Sequence, residues 1–338
     1  MRRELSIAFQ TDKTPAQYIA LAKLVNQYAF DVMSVYCDAP FHPSYGPLLL
    51  MAPHIERARL GPAAISPSRM MPIDIAADTA LLARTAHGGA YLGIARGAWL
   101  LEHGIREIDQ PIQAIRETIE IVRLLLSGQS AGYQGRVYQI DPEVKAPYPL
   151  PARPVPIMIG TWGRKLSALA GELADEVKVG GSANPDMVAV IRGYIAEGEQ
   201  AAARPTGTVG VVMGAVSVID EDREQAREAA RRSVALYLPV VAPLDVTLQV
   251  EPELITRLSE LAHHKQFADA ARLISDDLLE RFAFAGNAAD IIRQSERLFA
   301  AGASRIEFGT PHGLIPETGI RILGEKILPA LQPNHDAV

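Results

Sequence analysis

The sequence predicts an α/β protein, a (β/α)8 TIM barrel with insertions, from three observations. Short apolar runs rich in β-branched residues alternate with amphipathic segments along the 338 residues, and such alternation predicts a parallel sheet. Eight of these units can be counted, which favours a closed barrel. The turn after the first strand, residues 10–13, has no glycine-rich fingerprint, which disfavours an open doubly wound sheet.

The strand candidates are apolar runs that end in glycine, proline or polar residues. They are residues 5–10, 30–37, 59–65, 90–95, 155–159, 177–179, 208–219 and 305–309. Helix candidates have apolar residues at helical spacing, as in the segment that places Ile112, Ile115 and Ile119 on one face. They are residues 14–29, 46–54, 71–86, 110–127, 165–174, 185–203, 220–238, 289–301 and 319–331.

Three segments depart from the strand and helix alternation. Residues 133–140 alternate loosely, which indicates a small hairpin outside the main sheet. Residues 147–156 are rich in proline and predict an extended connector. Residues 239–277 contain scattered prolines and are interpreted as short helices that form an insertion or lid. With no repeats or low-complexity linkers, residues 1–338 are expected to form a single domain.

Composition excludes several classes of function. The chain is 48% hydrophobic and 21% charged with a net charge of -6, and without a basic block it is not expected to bind nucleic acid. Cys37 is the single cysteine, so a disulfide within the chain or a cysteine-rich metal site is excluded. There is no apolar run long enough for a membrane span and no signal-peptide core, so a cytoplasmic location is expected.

The stretch from residue 155 to residue 185 reads as strand, glycine turn, helix, strand and glycine turn. Its first turn is Gly160, Thr161, Trp162 and Gly163, and its second is Gly180, Gly181 and Ser182. Backbone N–H groups at a glycine turn before a helix bind anions, and the helix dipole favours negative charge there. The two turns together predict a phosphate-binding rim, although short loops in α/β proteins use glycine for tight turns alone.

In a barrel, functional side chains collect where the strands end. Here those positions hold small residues and one carboxylate, that of Asp38. The histidines His42, His312 and the pair His263 and His264 are scattered, so a metal site is not expected. A site of backbone and apolar groups suits a cofactor that brings its own chemistry.

Three features carry a resemblance to a known family. They are residues 60–99, from the third strand to the end of the fourth, residues 159–185, and the strand-end acid Asp38. Over nearly the whole chain this pattern resembles the luciferase-like flavin or deazaflavin oxidoreductase superfamily. It is most similar to the branch that includes methylenetetrahydromethanopterin reductase and uses the deazaflavin coenzyme F420, with FMN as the alternative cofactor.

The resemblance implies roles for particular residues. The ring of the cofactor would lie across the barrel mouth on a bulge with a non-prolyl cis peptide, and Asp38 would face it. Apart from the resemblance, His42 is considered for proton transfer, with a solvated loop histidine as the alternative. Its phosphate would lie on the first glycine turn and the start of the next helix, with Arg96 and Arg164 as charge partners. The residues expected to contact the cofactor are Asp38, Ala64, Ile65, Ser66, Ala95, Arg96, Gly97, Gly160, Thr161, Trp162, Gly163, Arg164, Gly180, Gly181 and Ser182.

Some residues depart from the pattern of the superfamily's sugar-phosphate dehydrogenases. Those enzymes have a histidine directly after the aspartate of strand two, where this chain has Ala39. They also use a glutamate shortly after strand four, where this chain has Trp99 and then Glu102. Both departures disfavour sugar oxidation, and no sequence feature identifies the organic substrate.

The main hypothesis is therefore an oxidoreductase that transfers a hydride between coenzyme F420 and a small organic substrate. The alternatives are an FMN-dependent monooxygenase of the same fold and a non-catalytic protein that binds a cofactor. The resemblance also implies a homodimer. Individual residues have structural alternatives, since Asp38 could cap a local turn and Cys37 could act as a small buried hydrophobe.

Overall fold

The structure is a computed structural model that describes residues 3–130 and 132–332, and within these its main sheet closes into a barrel. Its strands are β1 Glu4–Phe9, β2 Val32–Val35, β3 Arg59–Pro62, β4 Leu92–Ala95, β5 Tyr133–Gln134, β6 Gln139–Ile140, β7 Ile157–Gly160, β8 Glu176–Gly180, β9 Gly210–Ile219, β10 Ala283–Gly286 and β11 Arg305–His312. The barrel strands pair in parallel in the order β3, β2, β1, β11, β9, β8, β7 and β4. Bridges from Leu60 to Ala90 and from Ile65 to Ile94 close the circle, which confirms the predicted fold.

Helices lie between the strands, most of them at the predicted places. They are α1 Pro15–Val25, α2 Tyr45–Met51, α3 Pro72–Thr85, α4 Pro111–Leu126, α5 Arg164–Leu173, α6 Pro185–Ala201, α7 Arg223–Val234, α8 Leu238–Val241, α9 Pro252–His263, α10 Phe267–Arg272, α11 Asp276–Phe282, α12 Ala288–Ala300, α13 Pro316–Ile322 and α14 Leu328–Leu331. Several begin at a proline, whose missing N–H and fixed φ suit the first helical position. Before α1, Thr14 and Gln17 form a capping box that satisfies two backbone donors.

Two smaller strand features complete the sheet structure. The predicted hairpin is confirmed, because β5 and β6 pair antiparallel outside the barrel. Strand β10 was not predicted, and it pairs in parallel with the second half of β9, from Val216 to Ile219. Its four residues follow α11 directly, and a run this short has no periodicity that separates a strand from a helix end.

The two largest apolar clusters of the described residues surround the barrel. The larger one packs the outer faces of the strands against the surrounding helices, with fully buried residues such as Ile7, Met33 and Leu60. The smaller one joins α7, α9 and α11 to β10, through residues such as Leu258 and Phe282. Helices α8, α9 and α10 occupy the segment interpreted as an insertion, and a lid role for them stays a prediction.

The interior of the barrel is polar at its lower end, where the strands begin. Arg305 is fully buried and forms an ion pair with Glu176 at 2.8 Å. Arg59 reaches the same carboxylate at 3.5 Å and Glu4 at 3.3 Å. These charges close the bottom of the barrel, so small molecules would reach its interior from the opposite end. Among the described helices, none combines the length and apolarity that crossing a bilayer requires.

Candidate functional site

The mouth of the barrel, at the carboxyl ends of its strands, is lined by residues with little or no side chain. A Cβ at Gly180 would have no atom within 4 Å, and one at Gly160 would meet only the methyl groups of Ala95 at 3.2 Å and Ala64 at 3.8 Å and a backbone oxygen. These residues are only partly buried or exposed. This wall of the mouth is therefore formed by backbone and methyl groups, so a flat molecule placed against it would meet no large side chain from these four residues.

The wall of the mouth at the end of β3 contains a non-prolyl cis peptide between Ala63 and Ala64. This confirms the expectation that the resemblance gave for this bulge. Beyond it, the Ile65 N–H donates to the Gly93 carbonyl and the Ala95 N–H donates to the Ile65 carbonyl, each at 2.9 Å. These bonds tie the bulge to β4 and hold the backbone of both strand ends in one surface.

The end of β4 is pinned to this bulge and carries an ion pair. The Ser66 hydroxyl donates to the Arg96 carbonyl, and a Cβ at Gly97, whose φ is +102°, would approach the Ser66 Cβ to 3.0 Å. The Arg96 guanidinium donates to both carboxylate oxygens of Glu107, at 2.7 and 2.8 Å. Hydrogen bonding and charge from Arg96 lower the pKa of Glu107, so Arg96, expected to contact a ligand, already has a protein counterion.

The first glycine turn connects β7 to α5. Gly163 precedes the helix without a side-chain cap, and its N–H donates to the Thr161 hydroxyl at 2.9 Å. The Trp162 indole donates to the Gly180 carbonyl at 2.9 Å, so its ring reaches the next strand end. Arg164, the first residue of the helix, is exposed and forms an ion pair with Glu197 at 2.9 Å.

The second glycine turn lies beside the first. The N–H groups of Gly181 and Ser182 donate to the Gly214 carbonyl, at 2.6 and 3.0 Å. The Ser182 side chain is fully buried and accepts from the Asn184 N–H, so it shapes the turn from inside. The structure thus brings the two predicted turns together at one side of the mouth.

Asp38 lies at the other side of the mouth, after β2. One of its carboxylate oxygens accepts a hydrogen bond of 3.0 Å from the Gln10 side-chain amide. His42 is exposed on the same loop, and its Nδ1 lies 3.2 Å from the Tyr18 hydroxyl. The structure therefore places Asp38 at the mouth and directs the His42 ring toward α1.

Three functional candidates were missed from the sequence, namely Tyr36, Lys178 and Glu307. The Lys178 ammonium forms an ion pair with Glu307 and lies 5.3 Å from the centroid of the Tyr36 ring. Burial, with the charges of Glu307 and Asp38, raises the pKa of Tyr36 well above its ordinary value. The Tyr36 phenol therefore stays protonated and can act as a hydrogen-bond donor at the floor of the mouth.

Two further residues, Cys37 and His312, do not have the properties of catalytic groups. Burial raises the pKa of the Cys37 thiol to about 12, so it is a weak nucleophile. His312 is buried, and its Nε2 lies 3.1 Å from the Ala8 carbonyl. Within residues 3–130 and 132–332 there is no group of three His, Cys, Asp or Glu side chains that could hold a metal ion.

The arrangement fits an organic cofactor with a flat ring and a phosphate. A ring needs a slot without large side chains, which the small residues at the ends of β3, β4, β7 and β8 provide. A phosphate needs backbone donors, which the uncapped start of α5 provides beside the first glycine turn. The polar side chains nearby, those of Asp38, Gln10 and Tyr36, can orient a second molecule against the ring.

Comparison with known proteins agrees with this geometry. The model of a family described as luciferase-like monooxygenase matches residues 4–305. A 5,10-methylenetetrahydromethanopterin reductase from Archaeoglobus fulgidus is 25% identical over 335 residues, spanning 97% of this chain and 100% of that protein.

Two solved structures share the fold. A coenzyme F420 dependent tetrahydromethanopterin reductase from Methanopyrus kandleri matches with a TM-score of 0.89 and 24% identity, covering 98% of this chain and 100% of that one. A monooxygenase from Streptomyces bottropensis matches with a TM-score of 0.71 and 18% identity, covering 96% of this chain and 99% of that one.

Proposed function

Because the chain belongs to the luciferase-like monooxygenase family, we propose that it is an oxidoreductase that transfers a hydride between coenzyme F420 and a small organic substrate. The observation that carries the proposal is the slot between Ala64, Ala95, Gly160 and Gly180, which is free of large side chains. Relatives described as dependent on F420, which match along nearly their whole length, support F420 as the cofactor.

The residues of the chain would hold the cofactor in two places. The backbone from Ala63 to Ser66 would support one face of the ring, and the start of α5 would bind the phosphate through N–H groups of the first glycine turn. When bound, a deazaflavin supplies a ring carbon that accepts or gives a hydride, and it favours this over oxygen chemistry. Arg96 and Arg164 keep their partners Glu107 and Glu197, so they would act on the phosphate only as background charge.

Asp38, Gln10 and Tyr36 would orient the substrate. Gln10 holds the Asp38 carboxylate at 3.0 Å, which fixes its position at the rim. The protonated Tyr36 phenol can donate a hydrogen bond to a substrate oxygen or nitrogen, while Asp38 can accept one. The pair would thus bind a polar group next to the carbon that exchanges the hydride. Ala39 in place of a histidine disfavours a sugar phosphate as that substrate.

A second candidate function is an FMN-dependent monooxygenase. The monooxygenase from Streptomyces bottropensis, which shares the fold over almost the whole chain, favours it. The same slot and the same glycine turn would hold FMN, which also has a tricyclic ring and a phosphate. The two candidates therefore differ in the cofactor that is bound and not in the residues that bind it.

Titration of the purified protein with each cofactor tests the choice. We expect F420 fluorescence to change on binding, with a dissociation constant on the order of 10⁻⁶ M or below. We expect FMN to bind more weakly. The bound F420 should then be reduced or oxidised by members of a panel of small alcohols, ketones and iminium compounds. Tight binding of FMN without measurable binding of F420 would make the monooxygenase the better proposal.

We also propose a homodimer, which rests on the family resemblance. The neighbouring helices α2 and α3 expose Leu50, Ile73 and Leu81, which offer an apolar surface to a second copy. Sedimentation equilibrium would give the mass of a dimer, and Leu81→Glu should shift it toward the monomer. A monomer at all concentrations would remove this part of the proposal.

A further inference from the structure

A buried ion pair lies directly under the mouth of the barrel. The Lys178 and Glu307 side chains are 8% and 1% exposed, and they face each other across the interior from β8 and β11. The Ser34 hydroxyl donates to the second Glu307 oxygen at 2.7 Å and lies 2.7 Å from the Tyr91 hydroxyl. A barrel interior is usually filled by branched apolar side chains, so this cluster needs a reason.

The ammonium of this pair lies over the ring of Tyr36, at the floor of the mouth. A Cβ at Gly214 would lie 3.2 Å from the Lys178 Cε and 3.3 Å from the Glu307 Cβ, so the glycine makes room for the lysine side chain. Gly180, which follows Lys178 at the next inward position of β8, has no side chain to cover it. Tyr36 lies beside the ammonium, and the space above Gly180 is open.

The surroundings of the Glu307 carboxyl group favour its charged form. Burial alone would raise the pKa of Glu307, but the positive charges of Lys178 and Arg305 and hydrogen bonds from Lys178 and Ser34 hold it below its ordinary value. Glu307 is therefore an anion. The ammonium has three N–H donors, and among the described residues Glu307 is its one hydrogen-bond acceptor, which leaves donors that a ligand could use.

Stability is a weak explanation for such a pair. Replacing a buried ion pair with apolar residues of similar volume is often neutral or stabilising, because removing two charges from water costs more than their attraction returns. A ligand above the pair gives a direct reason for keeping the charges, since a nearby ammonium stabilises negative charge on that ligand.

We propose that Lys178 forms a cationic floor under the cofactor, with Glu307 as its fixed counterion. This inference rests on the proposed function. A hydride given up by the substrate would leave the substrate oxidised and would add one negative charge to the ring. Lys178 therefore favours the reduced cofactor, and Glu307 limits the preference, so the two residues adjust the ratio of affinities for the reduced and oxidised forms.

The test measures that ratio without turnover. Dissociation constants for oxidised F420 and for chemically reduced F420 are measured under anaerobic conditions in the wild type, Lys178→Met and Glu307→Gln. Lys178→Met should lower the preference for reduced F420 by about tenfold, the size of one pKa unit from a neighbouring charge. Glu307→Gln leaves the ammonium without its counterion, so the preference should rise by a similar factor.

The ion pair at the lower end of the barrel supplies a matched control. Glu176 and Arg305 are also buried and paired, but they lie at the start of their strands. Glu176→Gln should lower the melting temperature and leave the ratio of the two dissociation constants unchanged. A general loss of packing would instead change all three variants in the same direction, and that result would overturn the inference.

Outcomes for the inference and for the proposed function are separate. If the wild type binds F420 and neither Lys178→Met nor Glu307→Gln changes the ratio, the cationic floor is wrong and the proposed function stands. If Lys178→Met does not fold, Glu307→Gln alone decides the test. Its expected effect is an increase in the preference for reduced F420, which is opposite to the effect of damage to the fold. If only FMN binds, the same ratio for oxidised and reduced FMN tests the floor. If neither cofactor binds, both proposals fail.

Discussion

Tyr36 and Gly309 share the floor of the barrel mouth, because a Cβ at Gly309 would overlap the Tyr36 hydroxyl. The tyrosine thus reaches from β2 across β1 to β11, and the glycine gives it room. A Cβ at Gly309 would also lie 2.8 Å from the Ala215 carbonyl oxygen on the neighbouring strand. The position of the Tyr36 phenol therefore depends on a residue without a side chain.

Gly309→Ala should displace Tyr36 and destabilise the protein by about 1–3 kcal/mol, as overpacking of a filled interior does. Urea denaturation would measure the loss, and tyrosine fluorescence would report the displaced ring. Gly180→Ala is the control, since its Cβ meets no atom within 4 Å. It should leave stability unchanged and weaken cofactor binding. Equal stability of the two variants would contradict the placement of Tyr36.

Gly163→Leu should weaken cofactor binding by about tenfold, because the side chain would cover the N–H groups at the start of α5. The fold should tolerate it, since φ at Gly163 is −93° and a Cβ would meet only the Thr161 hydroxyl at 3.7 Å. Fluorescence titration gives the affinity. Gly193→Leu, at an exposed position of α6 with open space around it, controls for added bulk. Unchanged affinity in Gly163→Leu would remove this turn from the site.

Asp38→Asn should lower kcat/KM by about a hundredfold, because it removes the negative charge of the side chain. The shape of the side chain is kept, so the Gln10 amide still has an oxygen to donate to. Asp38→Ala should lower activity at least as much. Both should shift the melting temperature by no more than about 2–4 °C, the effect of roughly 1 kcal/mol. Steady-state kinetics and calorimetry check this. Normal turnover with a large drop in melting temperature would make Asp38 a structural residue.

Stability should fall as the pH falls below neutrality, in part because of His312. Burial, and then the charge of Lys13, lower its pKa to about 4. The unfolded chain, with a pKa of about 6.5, binds the proton first, so folding stability falls from about pH 6.5 to about pH 4. This residue accounts for about 2 kcal/mol between about pH 7.5 and about pH 5.

His312→Asn tests this effect, because asparagine tolerates the positive φ of 77° at that position. Urea unfolding of both proteins at the two pH values gives the difference, and carboxylates common to both cancel. The variant should have lower stability at neutral pH but lose less of it on acidification. An equal loss in both proteins would show that His312 is protonated in the folded state.

The insertion is held to the second glycine turn by Asn184. Its side-chain amide donates to the buried Asp245 carboxylate at 2.8 Å and to the Thr247 hydroxyl at 2.9 Å. Asn184→Ala should cost about 1–3 kcal/mol, since a buried carboxylate loses a donor. Thr247→Val keeps the Asn184 cap of α6 and should cost less. If residues 239–277 form a lid, Asn184→Ala should also speed limited proteolysis there, and unchanged cleavage would argue against it.

Most of the fold could be predicted, because each barrel strand is an apolar run followed by a turn and a helix. The family match confirms the resemblance that residues 60–99 and 159–185 carry. The position of the cis peptide also followed from that resemblance. Whether the predicted glycines bind a cofactor stays a prediction. Strand β10 was missed since four residues after a helix carry no periodic pattern.

The sequence does contain a pattern that indicates the charged residues in the barrel interior. Glu176 and Lys178, like Arg305 and Glu307, stand two residues apart in apolar strands, which puts each pair on one face. Their partners could not be assigned from this spacing, because Lys178 and Glu307 are 129 positions apart and meet only when β8 and β11 close around β9. Similarly, Glu107 lies outside the regular elements, where no periodicity indicates that it pairs with Arg96.

The length of β9 makes the mouth asymmetric. Strand β8 ends opposite Gly214, but β9 continues to Ile219 with β10 alongside its last four residues. That extension makes the rim of the barrel higher on one side. On the other side the rim is formed by Arg96 and Gly97, which are exposed to solvent. We therefore expect molecules to enter and leave the mouth on the side of Arg96 and Gly97, where added bulk would slow their passage without touching the chemistry.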